Sequence, residues 1–178
     1  MSSVVISGDS SGAITLAAPS VAGTNTITLP AATGTVMVSG NMPAFSVYVG
    51  TTQTIGTGNT KVAYDTKVFD TASCFNTSTY RFTPNVAGYY QFNVSMVSST
   101  TFTLGEGQIW KNGGSGASSQ IQGFEMSTGA ANTCAAAGIF YMNGSTDYVE
   151  AYIYTSVSSG VFAGSNNSIF SGCLIRGA

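Results

Sequence analysis

The chain has no histidine, and charge of either sign is scarce: five Lys or Arg and seven Asp or Glu among 178 residues, a formal net of −2. Without imidazole there can be no His-based triad, no His metal site and no imidazole proton relay. Five cations cannot build a basic footprint, so no nucleic-acid partner is expected. No run of 18 apolar residues appears, which leaves no helical membrane span. The opening Met1-Ser2-Ser3-Val4-Val5 lacks the basic flank and long apolar stretch of a secretion signal, so synthesis in a cytoplasm is expected. The three cysteines, Cys74, Cys134 and Cys173, share no close spacing and no CxxC pair, which speaks against zinc. Cys134 and Cys173 sit in apolar runs and read as small core residues, with a disulfide the lesser reading. Low charge does not mean disorder here. Hydrophobic residues make up 43% of the chain, whereas disordered chains are poor in them.

What is present changes character near Met42-Pro43. Residues 1–42 hold no aromatic residue and one charge, Asp9. Ile14-Thr15-Leu16-Ala17-Ala18 is echoed thirteen positions later by Ile27-Thr28-Leu29-Pro30-Ala31, and Val36-Met37-Val38 reads as a third, shorter copy. Each copy predicts a brief alternating strand, with turn chemistry at Pro19, Gly23-Thr24-Asn25 and Thr33-Gly34 between them. So short and small-chained a segment cannot make its own core. Its Ile14, Leu16, Ile27 and Leu29 are the candidate anchor, buried against other chains or a docking partner. A flexible Gly/Ser/Thr leader is the other reading, which the regular Ile/Leu placement opposes.

Residues 43–178 read as β throughout. Predicted strands run over Ala44–Val49, Lys61–Asp65, Lys67–Phe69, Tyr80–Thr83, Gly88–Val97, Gln108–Lys111, Ser119–Met126, Cys134–Met142, Asp147–Thr155 and Ile169–Ile175. Asn112-Gly113 and Asn143-Gly144 are hairpin-type turn signals. No window carries the 3.6-residue apolar period. Eight to ten strands punctuated by turns imply an all-β antiparallel sandwich or jelly roll.

Particular stretches sharpen this. Pro43-Ala44-Phe45-Ser46-Val47-Tyr48, then Tyr64 to Asp70 with Phe75-Asn76 and Ser78 to Pro84, then Val86-Ala87-Gly88-Tyr89-Tyr90-Gln91-Phe92, resemble the globular domain of complement C1q and its tumour-necrosis-factor-like superfamily, in its bacteriophage and bacterial form. Asp147 to Ile153 and Ser168-Ile169-Phe170-Ser171-Gly172-Cys173-Leu174-Ile175 resemble that family's late strands, in the family's order. One departure is visible: Tyr80 stands where the family pattern opens a Gly-x-Phe. Residues 26–38 resemble a segment of phage tail and fibre proteins that precedes a trimeric tip. The resemblance implies a C1q/TNF-like jelly-roll head over 43–178, a short β-repeat anchor or stalk over 1–42, and three-fold symmetry.

Strand parity names candidate surfaces. If Val149, Ala151 and Ile153 face the core, then Tyr148, Glu150, Tyr152 and Tyr154 face outward. Three outward tyrosines are a candidate contact surface, or simple β-propensity. The 88–97 strand offers Tyr90, Phe92, Val94 and Met96 on one face and Tyr89 and Val97 on the other. The 134–142 strand sets Gly138, Phe140 and Met142 against Ala135, Ala137, Ile139 and Tyr141. Apolar groups on both faces predict a second dry contact, with Tyr89, Val97 and Tyr141 as candidate trimer contacts.

No catalytic residue, metal site or cofactor is expected. Asp65 and Asp70 fall on opposite parities, unlike the paired carboxylates of a glycosidase. Some relatives of the resembling family bind calcium, yet seven scattered carboxylates define no ligand set here. Gly105-Glu106-Gly107 and Gly113 to Gly116 lack the Gly-Lys-Ser/Thr of a phosphate loop. The expected function is therefore structural: a virion protein, homotrimeric, carried on the particle as a short fibre or a capsid decoration (cement) protein. Its expected partners are itself, other capsid or tail proteins and host-surface glycan. The alternative is a free C1q-like, lectin-like module of bacterial or secreted origin.

Overall fold

The computed structural model describes residues 3–28, 31, 36–38, 40, 42–98, 105–114, 120–122, 125–128, 131–161 and 167–178. Two units separate, Met1–Thr33 and Gly34–Ala178. The first holds one antiparallel hairpin, β1 (Ser3–Ser7) with β2 (Ala13–Ala17), in which Val4 pairs with Leu16 and Ile6 with Ile14. The β2 strand falls on the first Ile-Thr-Leu copy. The second copy departs from expectation: Ile27 and Thr28 are not in a strand, and Leu29 lies outside the described residues. Val36, Met37 and Val38 form no strand either. The β1 strand was not read from sequence, because Ser3-Val4-Val5-Ile6-Ser7 has three consecutive apolar residues and no alternation.

The second unit contains β3 (Ala44–Tyr48), β4 (Gln53–Ile55), β5 (Gly58–Lys61), β6 (Thr66–Asp70), β7 (Phe75–Asn76), β8 (Arg81–Phe82), β9 (Gly88–Ser98), β10 (Gly105–Lys111), β11 (Gln120–Gln122), β12 (Glu125–Thr128), β13 (Ala131–Met142), β14 (Val149–Thr155), β15 (Ser159–Val161) and β16 (Ile169–Gly177). Among the described residues these fourteen exceed the eight to ten expected. Strands of two or three residues, such as β4, β7 and β15, are too short to carry an alternation signal, and the 119–126 run contributes to two separate strands, β11 and β12. The 61–65 run also differs: β5 ends at Lys61, and residues 62–65 form a connection whose Val62 amide still bonds the Ala151 carbonyl at 3.0 Å.

One sheet runs β12-β13-β9-β16-β3-β6, with β15 joining β4 to β9. The other runs β11-β10-β14-β8-β7, with β5 also on β14. Neighbours in space are not neighbours in sequence: β9 lies between β13 and β16, and β10 beside β14. That interleaving of antiparallel strands is a jelly-roll sandwich. Alternation fixes its core. On β9, Tyr90, Phe92, Val94 and Met96 are buried and join Phe45, Val47, Phe140, Met142, Phe170 and Leu174 from the same sheet. Phe82, Ile109, Val149, Ala151 and Ile153 meet them from the other. Phe45 stacks on Phe82 across the sandwich at 4.4 Å between ring centroids and meets Phe170 edge-on at 5.0 Å.

Two backbone positions explain sequence features. Gly172 sits in register with both Phe45 and Phe92. A methyl there would lie 2.5 Å from a Phe92 ring carbon and 2.9 Å from one of Phe45. Tyr80, where this chain departs from the resembling pattern, has a φ of +56°. Left-handed backbone costs a Cβ-bearing residue about 1 kcal/mol or more.

Gly172→Ala is expected to destabilise the sandwich by about 1–3 kcal/mol through overpacking. Tyr80→Gly is expected to stabilise it by about 0.5–1 kcal/mol. Urea unfolding of the two variants beside wild type reads both signs.

Candidate functional site

The outward face of the larger sheet is built by the same alternation that builds the core. Register places Ala137, Asn93, Ser171, Ser46 and Phe69 in one row across β13, β9, β16, β3 and β6. Ile139, Gln91, Cys173 and Ala44 form the next. Tyr141, Tyr89 and Arg176 close one end. Among the described residues of β13, β9, β16 and β3, Arg176 is the sole charged side chain on this face. Ile139 is 57% exposed, Tyr89 41% and Tyr141 45%. The two tyrosine rings pack at 5.6 Å, with the Arg176 guanidinium 5.4 Å above Tyr89. Val97 is half-buried on the same face, and its amide donates to Ser168 Oγ at 3.1 Å. Tyr89, Val97 and Tyr141 therefore share one broad, nearly uncharged surface. Ile139, Cys173 and Phe69 enlarge it beyond the residues singled out from sequence. Cys173 corrects the expectation of a core residue: it is exposed, because the inward positions of β16 belong to Phe170, Gly172 and Leu174. Cys134 and Cys74 are buried.

The smaller sheet's outward face is different in kind. Val149, Ala151 and Ile153 are buried, and Tyr148, Tyr152 and Tyr154 are half-buried on the opposite face. Two of the three tyrosines are engaged within the chain. Tyr152 stacks on Trp110 at 3.8 Å and 15°. The Arg81 guanidinium lies 4.1 Å over the Tyr148 ring. Between them Glu150 is 1% exposed. Its Oε1 accepts from Arg81 Nε at 2.7 Å and from Lys61 Nζ at 2.9 Å. Trp110 Nε1 donates to Gln108 Oε1 at 2.8 Å, and Gln108 Nε2 donates to Glu106 at 3.0 Å. Sequence reading missed this cluster. Parity put Glu150 among the outward residues, but partners 69 and 89 positions away leave no local signal.

Burial works against the charge on Glu150, but the hydrogen bonds and charges of Arg81 and Lys61 outweigh it and hold the carboxyl below the usual glutamate range. Asp70 and Asp147 behave alike. Burial opposes each charge, while Lys67 and the Phe75 and Cys74 amides lower the first, and Lys111, Asn112 and the Asn143 amide the second. These three carboxylates thus have structural employment. Among the described residues no group of three or more His, Cys, Asp or Glu side chains could hold a metal ion, and no helix is long and apolar enough to cross a membrane.

Solved structures share this architecture. The globular domain of zebrafish complement 1qA matches with a TM-score of 0.57 at 19% identity, covering 76% of this chain and 98% of that one. Murine APRIL at pH 8.0 matches with a TM-score of 0.58 at 11% identity over 75% and 99%. Eiger TNF from S. frugiperda matches with a TM-score of 0.55 at 11% identity over 78% and 95%. The sandwich has the C1q/TNF-like jelly-roll fold. At such identities the likeness is one of fold. No protein-family model matches the sequence, and no curated protein does.

The jelly roll's three low-pKa carboxylates give stability a direction with pH. Each binds protons less readily folded than unfolded, so their contribution is complete above the ordinary carboxylate range and drains as pH falls from about 4.5 downward. Glu150→Gln is expected to lower stability at pH 7 by about 1–2 kcal/mol, Lys61 and Arg81 keeping part of their hydration. It should also flatten the acid-side loss. Urea titrations of both proteins between pH 3 and 7 check the two effects together.

Proposed function

We propose that the chain is a bacteriophage virion structural protein: a non-catalytic homotrimeric surface appendage, either a short fibre or a capsid decoration protein, with the jelly roll outward and residues 1–42 anchoring or intertwining. The observation that carries the self-association is the outward face of the larger sheet. Across β13, β9, β16 and β3 it exposes Ile139, Tyr89 and Tyr141 with Arg176 as the one charged side chain, and Phe69 of β6 adjoins it. Symmetric copies meeting there have one charged side chain each on β13, β9, β16 and β3, Arg176, to keep apart. The C1q/TNF-like fold supports a trimer as the closed form. The phage setting is supported by the likeness of residues 26–38 to segments of phage tail and fibre proteins, and by the neutral, hydroxyl-rich surface of the chain.

Light scattering of the full chain at micromolar concentration is expected to give three times the chain mass. Ile139→Asp, which puts an unpaired carboxylate among the exposed apolar residues of the face, is expected to give a folded monomer; a monomeric wild type would overturn the assembly. Mass spectrometry of purified particles is expected to find the chain as a stoichiometric component, against its recovery only from culture supernatant if it were a free binding module.

A further inference from the structure

Val4, Ile6, Ile14 and Leu16 share one face of the β1–β2 hairpin by register, each between 56% and 68% exposed. Val5, 58% exposed, lies on the other face. A two-stranded sheet is marginal by itself in water, and both of its outer edges leave backbone groups unpaired. We infer that the hairpins of three copies of this chain pack against one another through the Val4, Ile6, Ile14 and Leu16 face; this rests on the trimer proposed above.

Two arguments select copies of the chain over a foreign partner. The first is area. Five residues at ~3.4 Å and two strands ~4.8 Å apart make a face of roughly 170 Å², against about 800 Å² per partner in a standard interface. A foreign surface would gain too little from it to hold. Copies tethered through their own sandwiches meet at roughly millimolar effective concentration, where so small a contact suffices. The second is charge. Asp9 is the one ionisable side chain in residues 1–42, and it sits in the connection between the strands. Identical hairpins can therefore converge with no like charges opposed along the strands, a requirement that symmetry imposes on self-packing and that a foreign partner would not.

The full chain carrying Ile14→Cys with Cys173→Ser tests this. Under mild oxidation the introduced thiols are expected to form linked dimers on a non-reducing gel, with a ceiling of one pair per trimer and a yield unchanged over tenfold dilution. A trimer by light scattering whose introduced thiols stay unlinked, or link less on dilution, overturns the hairpin packing and leaves the sandwich trimer standing. A monomer overturns both. In parallel, Ile14→Asp is expected to speed amide exchange over residues 3–17 at least tenfold while exchange in the sandwich is unchanged; equal exchange in the two proteins overturns the inference.

Discussion

Stacking of Phe45 on Phe82 joins the two sheets, and much of the molecule follows from it. Phe45 comes from β3 and Phe82 from β8, so their 4.4 Å contact crosses the sandwich. Phe92 and Phe170 close around Phe45 at 6.3 and 5.0 Å. Each ring takes an inward position on its strand, and the period of two then commits the flanking residues outward. Once Phe45, Phe92 and Phe170 are inside, Ser46, Asn93 and Ser171 have to lie on the far face. Gly172 is the counterpart of that crowding: it is the position where two of these rings leave no room for a side chain. The core thus also decides which residues form the neutral outer surface, and a one-residue slip of β9 would exchange the two.

Scarcity of charge takes on a different meaning beside the ion pairs. Of five cations, Lys61 and Arg81 bind Glu150, Lys67 binds Asp70 and Lys111 binds Asp147, while Arg176 lies over Tyr89. Few as the charges are, one of them, Glu150, is buried on the smaller sheet's outward face. The few charges are placed where polar joints are needed. Asp70 receives the Cys74 and Phe75 amides and pins the turn before β7. Asp147 accepts from Asn112 Nδ2, from the Asn143 amide and from Lys111, tying the turn after β10 to the turn after β13. Concentrating charge in such joints leaves β13, β9, β16 and β3 with Arg176 alone on their outward face, while Lys67 and Lys111 stay at its margins, Lys111 5.8 Å over the Tyr141 ring.

Legibility in the sequence followed the physical range of each signal. Alternation over 88–97, 134–142 and 147–155 is a local property, so the inward sets on β9, β13 and β14 could be read directly, and with them the jelly roll. Strands that owe their existence to a partner could not. The two residues of β7 are held by Phe82 and Arg81 of β8, and nothing within Phe75-Asn76 announces that. The Glu150 cluster failed to appear for the same reason, and Cys173 misled because hydrophobic neighbours say nothing of which neighbour faces in. Ile27 misled differently: repetition of Ile-Thr-Leu promised a strand, but Thr26, Ile27 and Thr28 have no strand partner in the structure, and a strand needs a partner more than it needs a propensity.

The two units differ in what association can do for them. The sandwich closes its aromatic core inside one chain, so its folding free energy is largely independent of copy number, and packing on its outer face adds to a structure already formed. The hairpin has no such core. Its five apolar side chains stay more than half exposed in one copy, so whatever stability it gains must come from contacts beyond that copy. If the sandwiches associate as proposed, that association concentrates the hairpins, and their apolar faces can meet only afterwards. A segment with one charge and no aromatic residue suits that late role, because without the sandwich's tether its own contacts are too small to trap the chain in premature aggregates.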